Sequence, residues 1–142
     1  MSLAFAAAGA AGTADEVPVG AVVVRDGVVV GTGGNRTRRD RDPTAHAEIV
    51  AIREAARRLD DDRLPGCDLY VTLEPCAMCA GAISFARIRR LYFAAADLKG
   101  GAVEHGPRFF SQPTCHHAPE IYGGIRAGEA EAVLRAFFAA KR

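Results

Sequence analysis

The sequence predicts one three-layer α/β domain built around a mixed β-sheet. Strand-like and helix-like segments alternate along most of the chain, and a short turn joins the first two strands as an antiparallel hairpin. The chain has 142 residues, a length typical of one domain. We therefore expect residues 1–142 to form a single unit that buries roughly two-thirds of its unfolded surface.

The first part of the chain predicts a helix, a hairpin and a second helix. An alanine-rich segment over residues 3–12 favours the opening helix. The β-branched run at 17–24 and the segment at 28–32 predict two strands, because an Asp-Gly pair between them favours a tight turn. After a polar loop, the apolar spacing predicts a helix over 45–59, with Thr44 as its N-cap.

The second part continues the alternation. A short strand is predicted at 68–72, and a helix at about 75–85 begins with a proline, which is favoured in a first helical turn. A further strand is predicted at 88–94. Residues 96–124 are rich in glycine and proline and predict a long loop, and an amphipathic pattern at 128–140 predicts the last helix.

Composition and charge exclude several classes of protein. Apolar residues make up 49% of the chain and charged residues 25%, unlike a disordered tail, a coiled coil or a collagen-like repeat. No apolar run approaches the roughly 18 residues of a transmembrane helix, so no membrane partner is expected. The net charge of +1 indicates that any contact with nucleic acid is local. The alanine-rich start lacks the basic residues of a secretory signal, so we expect a cytoplasmic protein.

The cysteines indicate metal or redox chemistry. Cys76 and Cys79 form a C-x-x-C motif at the start of a predicted helix, where they share one face. Two thiolates at this spacing can bind one zinc ion, although the motif alone also fits buried structural cysteines or a redox pair. Cys67 and Cys115 stand apart from this motif, and we expect them to be inert thiols.

A second motif, His46-Ala47-Glu48, favours zinc binding over the other two interpretations of the cysteine pair. Together His46, Cys76 and Cys79 supply three zinc ligands and leave the fourth position open to water, as in catalytic zinc sites. Glu48 stands beside the ligand and is suited to be the general acid/base. The combination H-x-E with P-C-x-x-C is the signature of zinc nucleobase deaminases. The H-E-x-x-H motif of metalloproteases is absent from the sequence.

A different ligand set is also conceivable. The segment 115–117, Cys-His-His, could join Cys76 and Cys79 in a closed structural zinc site. The gap of 37 positions between Cys79 and His116 is long for a zinc finger, and this arrangement would leave His46 and Glu48 without a role. We therefore favour the open site.

Basic and aromatic side chains provide candidate contacts to nucleic acid. The loop before the second helix carries four arginines interleaved with two aspartates, which fits either a solvated loop or a phosphate-contacting strip. Phe109-Phe110 and Phe137-Phe138 fit core packing better than base stacking. The candidate phosphate contacts are Arg36, Arg38 and Arg39, with Lys99, Lys141 and Arg142 in support.

These motifs resemble those of the bacterial tRNA adenosine deaminases of the TadA type, within the cytidine-deaminase-like zinc hydrolases. The resemblance covers nearly all of the chain from residue 16 onward. The matching segments are residues 16–24, 35–36, 42–49, 69–83, 97–99 and 137–138.

The resemblance implies an α/β/α fold with a mixed five-stranded sheet, a homodimer and one Zn²⁺ per chain. It implies hydrolytic conversion of the wobble adenosine in a tRNA anticodon loop to inosine. His46, Cys76 and Cys79 would bind zinc, and Glu48 would shuttle protons. The residues that the resemblance places near the substrate are Asn35, Arg36, Ala47, Pro75, Asp97, Lys99 and Phe138.

Two other functions stay open at this stage. A deaminase of free nucleobases or nucleosides would need the same catalytic residues but not the arginine-rich loop. A non-catalytic zinc-stabilised binding module would leave Glu48 and the open ligand position unexplained. Formation of inosine in an anticodon stem-loop, measured beside ammonia release from free bases, separates these alternatives.

Overall fold

Residues 1–141, which the computed structural model describes, form four α-helices and five β-strands. Arg142, a candidate phosphate contact, lies outside the described residues. In chain order the elements are α1 (Ser2–Thr13), β1 (Gly20–Arg25), β2 (Val28–Gly34), α2 (Ala47–Leu59), β3 (Cys67–Leu73), α3 (Ala77–Ala86), β4 (Arg90–Ala95), a 3-10 turn (Phe109–Ser111), β5 (Glu120–Tyr122) and α4 (Ala127–Ala140).

The strands form one mixed sheet in the order β2-β1-β3-β4-β5. β1 runs antiparallel to both β2 and β3, whereas β3, β4 and β5 are parallel. The five-stranded mixed sheet is therefore confirmed. The connection from β3 to β4 passes through α3, as a parallel pair requires.

Helices cover both faces of the sheet, and glycines in the strands allow them to approach closely. A Cβ atom at Gly20 would lie 2.0 Å from the carbonyl oxygen of Ala4 in α1. A Cβ atom at Gly31 would lie 2.2 Å from the carbonyl oxygen of Ala51 in α2. Ala130 of α4 packs with Phe5 of α1, so these two helices share a face. The three-layer architecture is confirmed.

The main core lies between the sheet and the helices α2 and α3. Leu69 and Phe93 of the central strands are buried there against Ala51 of α2 and Ile83 of α3. This core fixes the two helices side by side with their N-termini at the same end of the sheet. Within residues 1–141, no helix combines the length and the apolar character needed to cross a bilayer.

Several boundaries differ from the sequence prediction. β1 begins at Gly20 and not at residue 17, since the segment before it packs as an irregular connection from α1. Thr44 is not the N-cap of α2; His46 has that position, and the Thr44 hydroxyl instead donates a hydrogen bond to Asp42 Oδ1 at 2.6 Å. Pro75 lies before α3 and not within its first turn, because Cys76 is the N-cap.

Residues 96–124 are mostly loop, as predicted, but they also contain two short elements that the sequence did not predict. Residues 109–111 form the 3-10 turn, and Glu120–Tyr122 form β5 along the outer edge of β4. The Tyr122 ring stacks on Tyr92 at a centroid distance of 5.1 Å. A strand of three residues is too short for an alternating pattern, so only pairing with β4 reveals it.

Candidate metal centre and substrate pocket

Two helix N-termini bring three possible metal ligands together. His46 immediately precedes α2, Cys76 immediately precedes α3, and Cys79 lies in the first turn of α3. His46 Nδ1 lies 3.6 Å from Cys76 Sγ and 3.6 Å from Cys79 Sγ. All three ligand atoms lie within 4.8 Å of one another. His46 is 30 positions from Cys76 and 33 from Cys79 in sequence, so the fold brings the histidine to the two cysteines.

The spacing of these atoms fits a tetrahedral zinc ion. Zinc–sulfur bonds of about 2.3 Å and zinc–nitrogen bonds of about 2.0 Å place ligand atoms roughly 3.5–3.8 Å apart at tetrahedral angles. The two nitrogen–sulfur distances of 3.6 Å match this range. Two thiolates and a neutral imidazole would also neutralise the two positive charges of the ion.

The alternative ligand set does not assemble. Within residues 1–141, His46, Cys76 and Cys79 form the one cluster of three such side chains close enough to hold an ion. Cys115 Sγ instead lies 3.6 Å from Ser84 Oγ and donates a hydrogen bond to the carbonyl oxygen of His117. The structure therefore gives no support to a closed site that includes the segment 115–117.

The charges in the cluster favour a cation. Hydrogen bonds from Cys79 and then His46 lower the pKa of the Cys76 thiol to about 4, so that it is a thiolate near neutral pH. The hydrogen bond to Cys76 in turn raises the pKa of His46. The Cys79 thiol donates a hydrogen bond to the Cys76 thiolate, and this contact together with burial raises the pKa of Cys79. A zinc ion would take the place of these shared protons.

Glu48 is a buried acid beside this cluster. It lies in the first turn of α2, two residues after His46, and is only 4% exposed. Burial raises its pKa to about 7, so the side chain can both accept and donate a proton near neutral pH. A group with these properties in a pocket is suited to general acid/base catalysis.

His46 and Cys76 of the cluster line a pocket of about 270 Å³ together with Glu48. Asn35 from the end of β2 and Asp97 from the loop after β4 also line it. A pocket of this size is suited to one small molecule or one extruded nucleotide. The complete lining is Val17, Val19, Asn35, Thr37, His46, Glu48, Leu73, Glu74, Cys76 and Asp97.

The backbone groups of Ala47 and Pro75, which are not among the residues that line the pocket, are already hydrogen-bonded. The Ala47 N–H donates to Asn35 Oδ1 at 2.9 Å, so this donor serves to position Asn35. The carbonyl oxygen of Pro75 accepts a hydrogen bond from the backbone N–H of Ala102 at 2.9 Å. The backbone groups of Ala47 and Pro75 therefore position neighbouring segments.

The remaining candidate substrate contacts lie around the pocket. Asp97 Oδ1 accepts the backbone N–H groups of Lys99 and Gly100, which orders the turn that carries the exposed Lys99. Arg36 lies outside the pocket and pairs with Asp40 at 3.0 Å. Phe138 is 49% exposed near the end of α4 and is not among the residues that line the pocket.

Half of the residues that line the pocket were not predicted from the sequence as site residues. Val17, Val19, Thr37, Leu73 and Glu74 line the pocket but were not singled out. Leu73 and Glu74 directly precede the C-x-x-C motif, and their position was a usable signal. The other three gave none, because which faces of the hairpin and its following loop turn toward α2 depends on the tertiary structure.

Comparisons with known proteins agree with this geometry. Residues 1–95 match the family model described as the cytidine and deoxycytidylate deaminase zinc-binding region. Over 142 residues the chain is 63% identical to the tRNA-specific adenosine deaminase of Agrobacterium fabrum, and the match covers all of this chain and 93% of that protein. The chain belongs to the tRNA-specific adenosine deaminases. Membership in this family makes it a zinc-dependent hydrolytic deaminase.

Solved structures place the chain within the same family. A structure from a study of A-to-I editing by tRNA:A34 deaminases superimposes with a TM-score of 0.93 at 63% identity, covering 94% of this chain and 97% of that one. A guanine deaminase from Nitrosomonas europaea has the same fold with a TM-score of 0.83 at 26% identity, covering 97% and 82%. Similarity to the tRNA-specific adenosine deaminases is therefore much higher than to the guanine deaminase.

Proposed function

We propose that this protein converts the wobble adenosine, position 34, of a tRNA anticodon loop to inosine. The observation that carries the proposal is the 63% identity along the whole chain to a tRNA-specific adenosine deaminase. The pocket supports it, since His46, Cys76, Glu48 and Asn35 line a space suited to one base. In this proposal residues 1–142 act as one zinc-dependent deaminase domain.

We assign His46, Cys76 and Cys79 as the zinc ligands, because the distances between their ligand atoms fit a tetrahedral ion. When bound, zinc acts as a Lewis acid that lowers the pKa of a water molecule and supplies a nucleophile near neutral pH. The side chains around it then have to orient the base, exclude bulk water and move protons.

Glu48 carries the protons in the proposed reaction. Its carboxylate accepts a proton from the water that attacks C6 of adenine and delivers it to ring nitrogen N1. As the bond between C6 and the exocyclic nitrogen breaks, Glu48 moves the second proton of the water to that nitrogen, which leaves as ammonia. One water is consumed and one ammonia released, so the reaction balances. The burial of Glu48 excludes bulk water from these transfers.

Asn35 holds the base in this scheme. Its carbonyl oxygen is occupied by the Ala47 N–H, which fixes the side chain and assigns its amide group the role of donor to the nucleoside. Asp97 lines the same pocket. A base stacked within a helix could not enter this space, so the adenosine must be extruded, which costs less in a loop.

The RNA on either side of the extruded base would contact the rim of the pocket. The candidate phosphate contacts near the rim are Arg36, Arg38, Arg39 and Lys99. Because these positive charges are concentrated in one place, the protein can bind RNA although its net charge is only +1. Lys141 and Phe138 lie at the end of α4, where Lys141 pairs with Asp15, the partner of Arg38. This contact links the end of α4 to the arginine-rich loop.

We also propose a homodimer that forms through α3. Met78 and Phe85 are 37% and 66% exposed and lie seven residues apart, so both project from one face of this helix. Exposed apolar pairs of this kind mark association sites. Sedimentation should show a dimer that Phe85→Glu dissociates, whereas an unchanged dimer would exclude this face.

We also propose that the enzyme acts in the cytoplasm, where it would encounter tRNA.

The decisive experiment is deamination of an anticodon stem-loop with adenosine at position 34. We expect inosine at that position and no product from a matched stem-loop whose adenosine lies in the base-paired stem. Free guanine, adenine and cytosine, assayed for ammonia release under the same conditions, serve as the comparison. Efficient turnover of a free base without inosine formation in RNA would overturn the proposal in favour of a free-base deaminase.

A further inference from the structure

Two buried carboxylates, Glu16 and Glu74, lie beside the pocket. Glu16 follows α1 and Glu74 follows β3, and each is only 2% exposed. Glu74 itself lines the pocket, and Glu16 directly precedes Val17, which lines it as well. Burying a carboxylate destabilises the fold unless the group accepts several hydrogen bonds. The donors to Glu16 and Glu74 therefore show which segments each carboxylate holds in place.

Glu74 accepts hydrogen bonds from the loop after β4. Its Oε1 accepts the N–H of Asp97 at 3.0 Å, and its Oε2 accepts the N–H groups of Val103, Glu104 and His105 at 2.9–3.2 Å. The His105 ring adds a contact of 2.7 Å from Nδ1 to Oε1. The loop 97–105 thus wraps around one carboxylate, and both of its ends are attached to Glu74.

The close fit of this loop leaves no room for a larger residue. A Cβ atom at Gly101 would lie 2.6 Å from the carboxyl carbon of Glu74 and 2.4 Å from the carbonyl oxygen of Asp97. Ala102 donates its backbone N–H to the carbonyl oxygen of Pro75, next to the candidate zinc ligand Cys76. The loop is therefore fixed in relation to both the pocket and the metal centre.

Glu16 holds the arginine-rich loop. Its Oε1 accepts the backbone N–H of Arg38 at 3.2 Å, and its Oε2 accepts that of Arg39 at 2.8 Å. Thr37, the preceding residue, lines the pocket. Glu16 engages only the backbone of Arg38 and Arg39, so it leaves their side chains available to other partners, such as Asp15 in the case of Arg38.

We propose that Glu16 and Glu74 are positioning residues that hold the two loops, 36–42 and 97–105, in the conformation that receives the RNA. Neither carboxylate touches the reacting atoms in this scheme. They act through the hydrogen-bonded loops, which carry the candidate RNA contacts Arg36, Arg38, Arg39, Asp97 and Lys99. Preformed loops lower the entropic cost of binding a flexible RNA loop. This inference rests on the proposed function.

The test uses Glu16→Gln and Glu74→Gln, which keep the shape of each side chain but place an N–H group against backbone N–H donors. We expect the KM for the anticodon stem-loop to rise roughly tenfold while kcat changes only a few-fold, because binding rather than the chemical step is impaired. Zinc content should not change. Hydrogen exchange should accelerate at Arg38 and Arg39 in the first variant, and at residues 103–105 in the second.

Asp68→Asn is the matched control. Asp68 is another largely buried carboxylate, paired with Arg89 at 2.8 Å at the opposite end of β3. Asp68→Asn also removes the charge of a buried carboxylate and should destabilise the fold, as the two glutamine variants do. Because Asp68 lies away from the pocket, the KM of this variant should stay at the wild-type value. Gly101→Ala keeps both carboxylates and displaces the loop 97–105, and it should reproduce the higher KM if Glu74→Gln does not fold.

The outcomes separate this inference from the proposed function. If wild-type protein forms inosine but both glutamine variants and Gly101→Ala keep the wild-type KM, the positioning role is wrong and the proposed function stands. If the KM of Asp68→Asn rises equally, the effect is general destabilisation, and the positioning role is again wrong. If wild-type protein forms no inosine, the proposed function is wrong, and the positioning role that depends on it is wrong as well.

Discussion

The Asn35 side-chain oxygen accepts a hydrogen bond from the backbone N–H of Ala47 at 2.9 Å. Ala47 is the first residue of α2, and the N-cap His46 makes no side-chain capping bond of its own. Asn35 at the end of β2 thus supplies the cap from a different element. The imidazole of His46 remains free for the metal centre, and the cap fixes Asn35 at the pocket.

Replacing a candidate zinc ligand should remove the metal. We expect Cys79→Ala to lose its zinc, because two remaining ligands bind the ion much more weakly than three. Metal analysis of the purified protein measures the content per chain, which should be close to one in the wild type. Cys115→Ala is the matched control and should keep its zinc. Equal loss of zinc in both variants would contradict the assigned ligand set.

Glu48→Gln should retain zinc and fold but lose nearly all turnover. The amide fills the same space as the carboxylate but cannot accept the proton from water. General acid/base groups contribute about 10²–10⁴-fold, and a residue used twice in one cycle should lie at the upper end. Single-turnover deamination of the stem-loop measures the loss. A rate within a few-fold of wild type would exclude Glu48 as the proton carrier.

The double variant Arg38→Ala, Arg39→Ala should weaken RNA binding and reduce its dependence on salt. Arg38 pairs with Asp15 through a side chain that is 69% exposed, so it can exchange this partner for a phosphate. Each lost phosphate contact should flatten the slope of log K against log salt by about 0.7. Arg58→Ala, Arg63→Ala removes the same charge near the other end of α2. An identical slope in the two double variants would contradict a specific phosphate contact.

Gly31→Ala should destabilise the protein by about 1–3 kcal/mol, a typical cost of overpacking. The added Cβ would lie 2.2 Å from the Ala51 carbonyl oxygen, so α2 must move away from the sheet. Gly9→Ala is the control, since its Cβ meets nothing within 4 Å in α1, and it should stabilise by about 0.5–1 kcal/mol. Denaturant unfolding measures both. No loss of stability in Gly31→Ala would show that α2 is not so closely packed.

The sequence alone determined the architecture of the domain and the identity of its reactive groups. The spacing of apolar residues repeats over several helical turns or strand residues, so it can be recognised within a short stretch of sequence, as in the predicted helix 45–59. His46, Glu48, Cys76 and Cys79 were recognisable because ligand chemistry restricts both residue type and spacing. The structure brings His46, Cys76 and Cys79 together in one cluster, and His46, Cys76 and Glu48 line one pocket. Their roles as zinc ligands and proton carrier stay predictions.

Only the tertiary structure decided how the pocket is bounded. β5 exists because it pairs with β4, and α2 begins at Ala47 because Asn35 caps it from a distant strand. Glu16 and Glu74 resemble any other acidic residue in the sequence, since their donors lie more than 20 positions away. A hydrogen bond between remote segments leaves no local pattern. The chemistry is therefore visible in the sequence, whereas the walls that position the substrate arise from contacts that only folding creates.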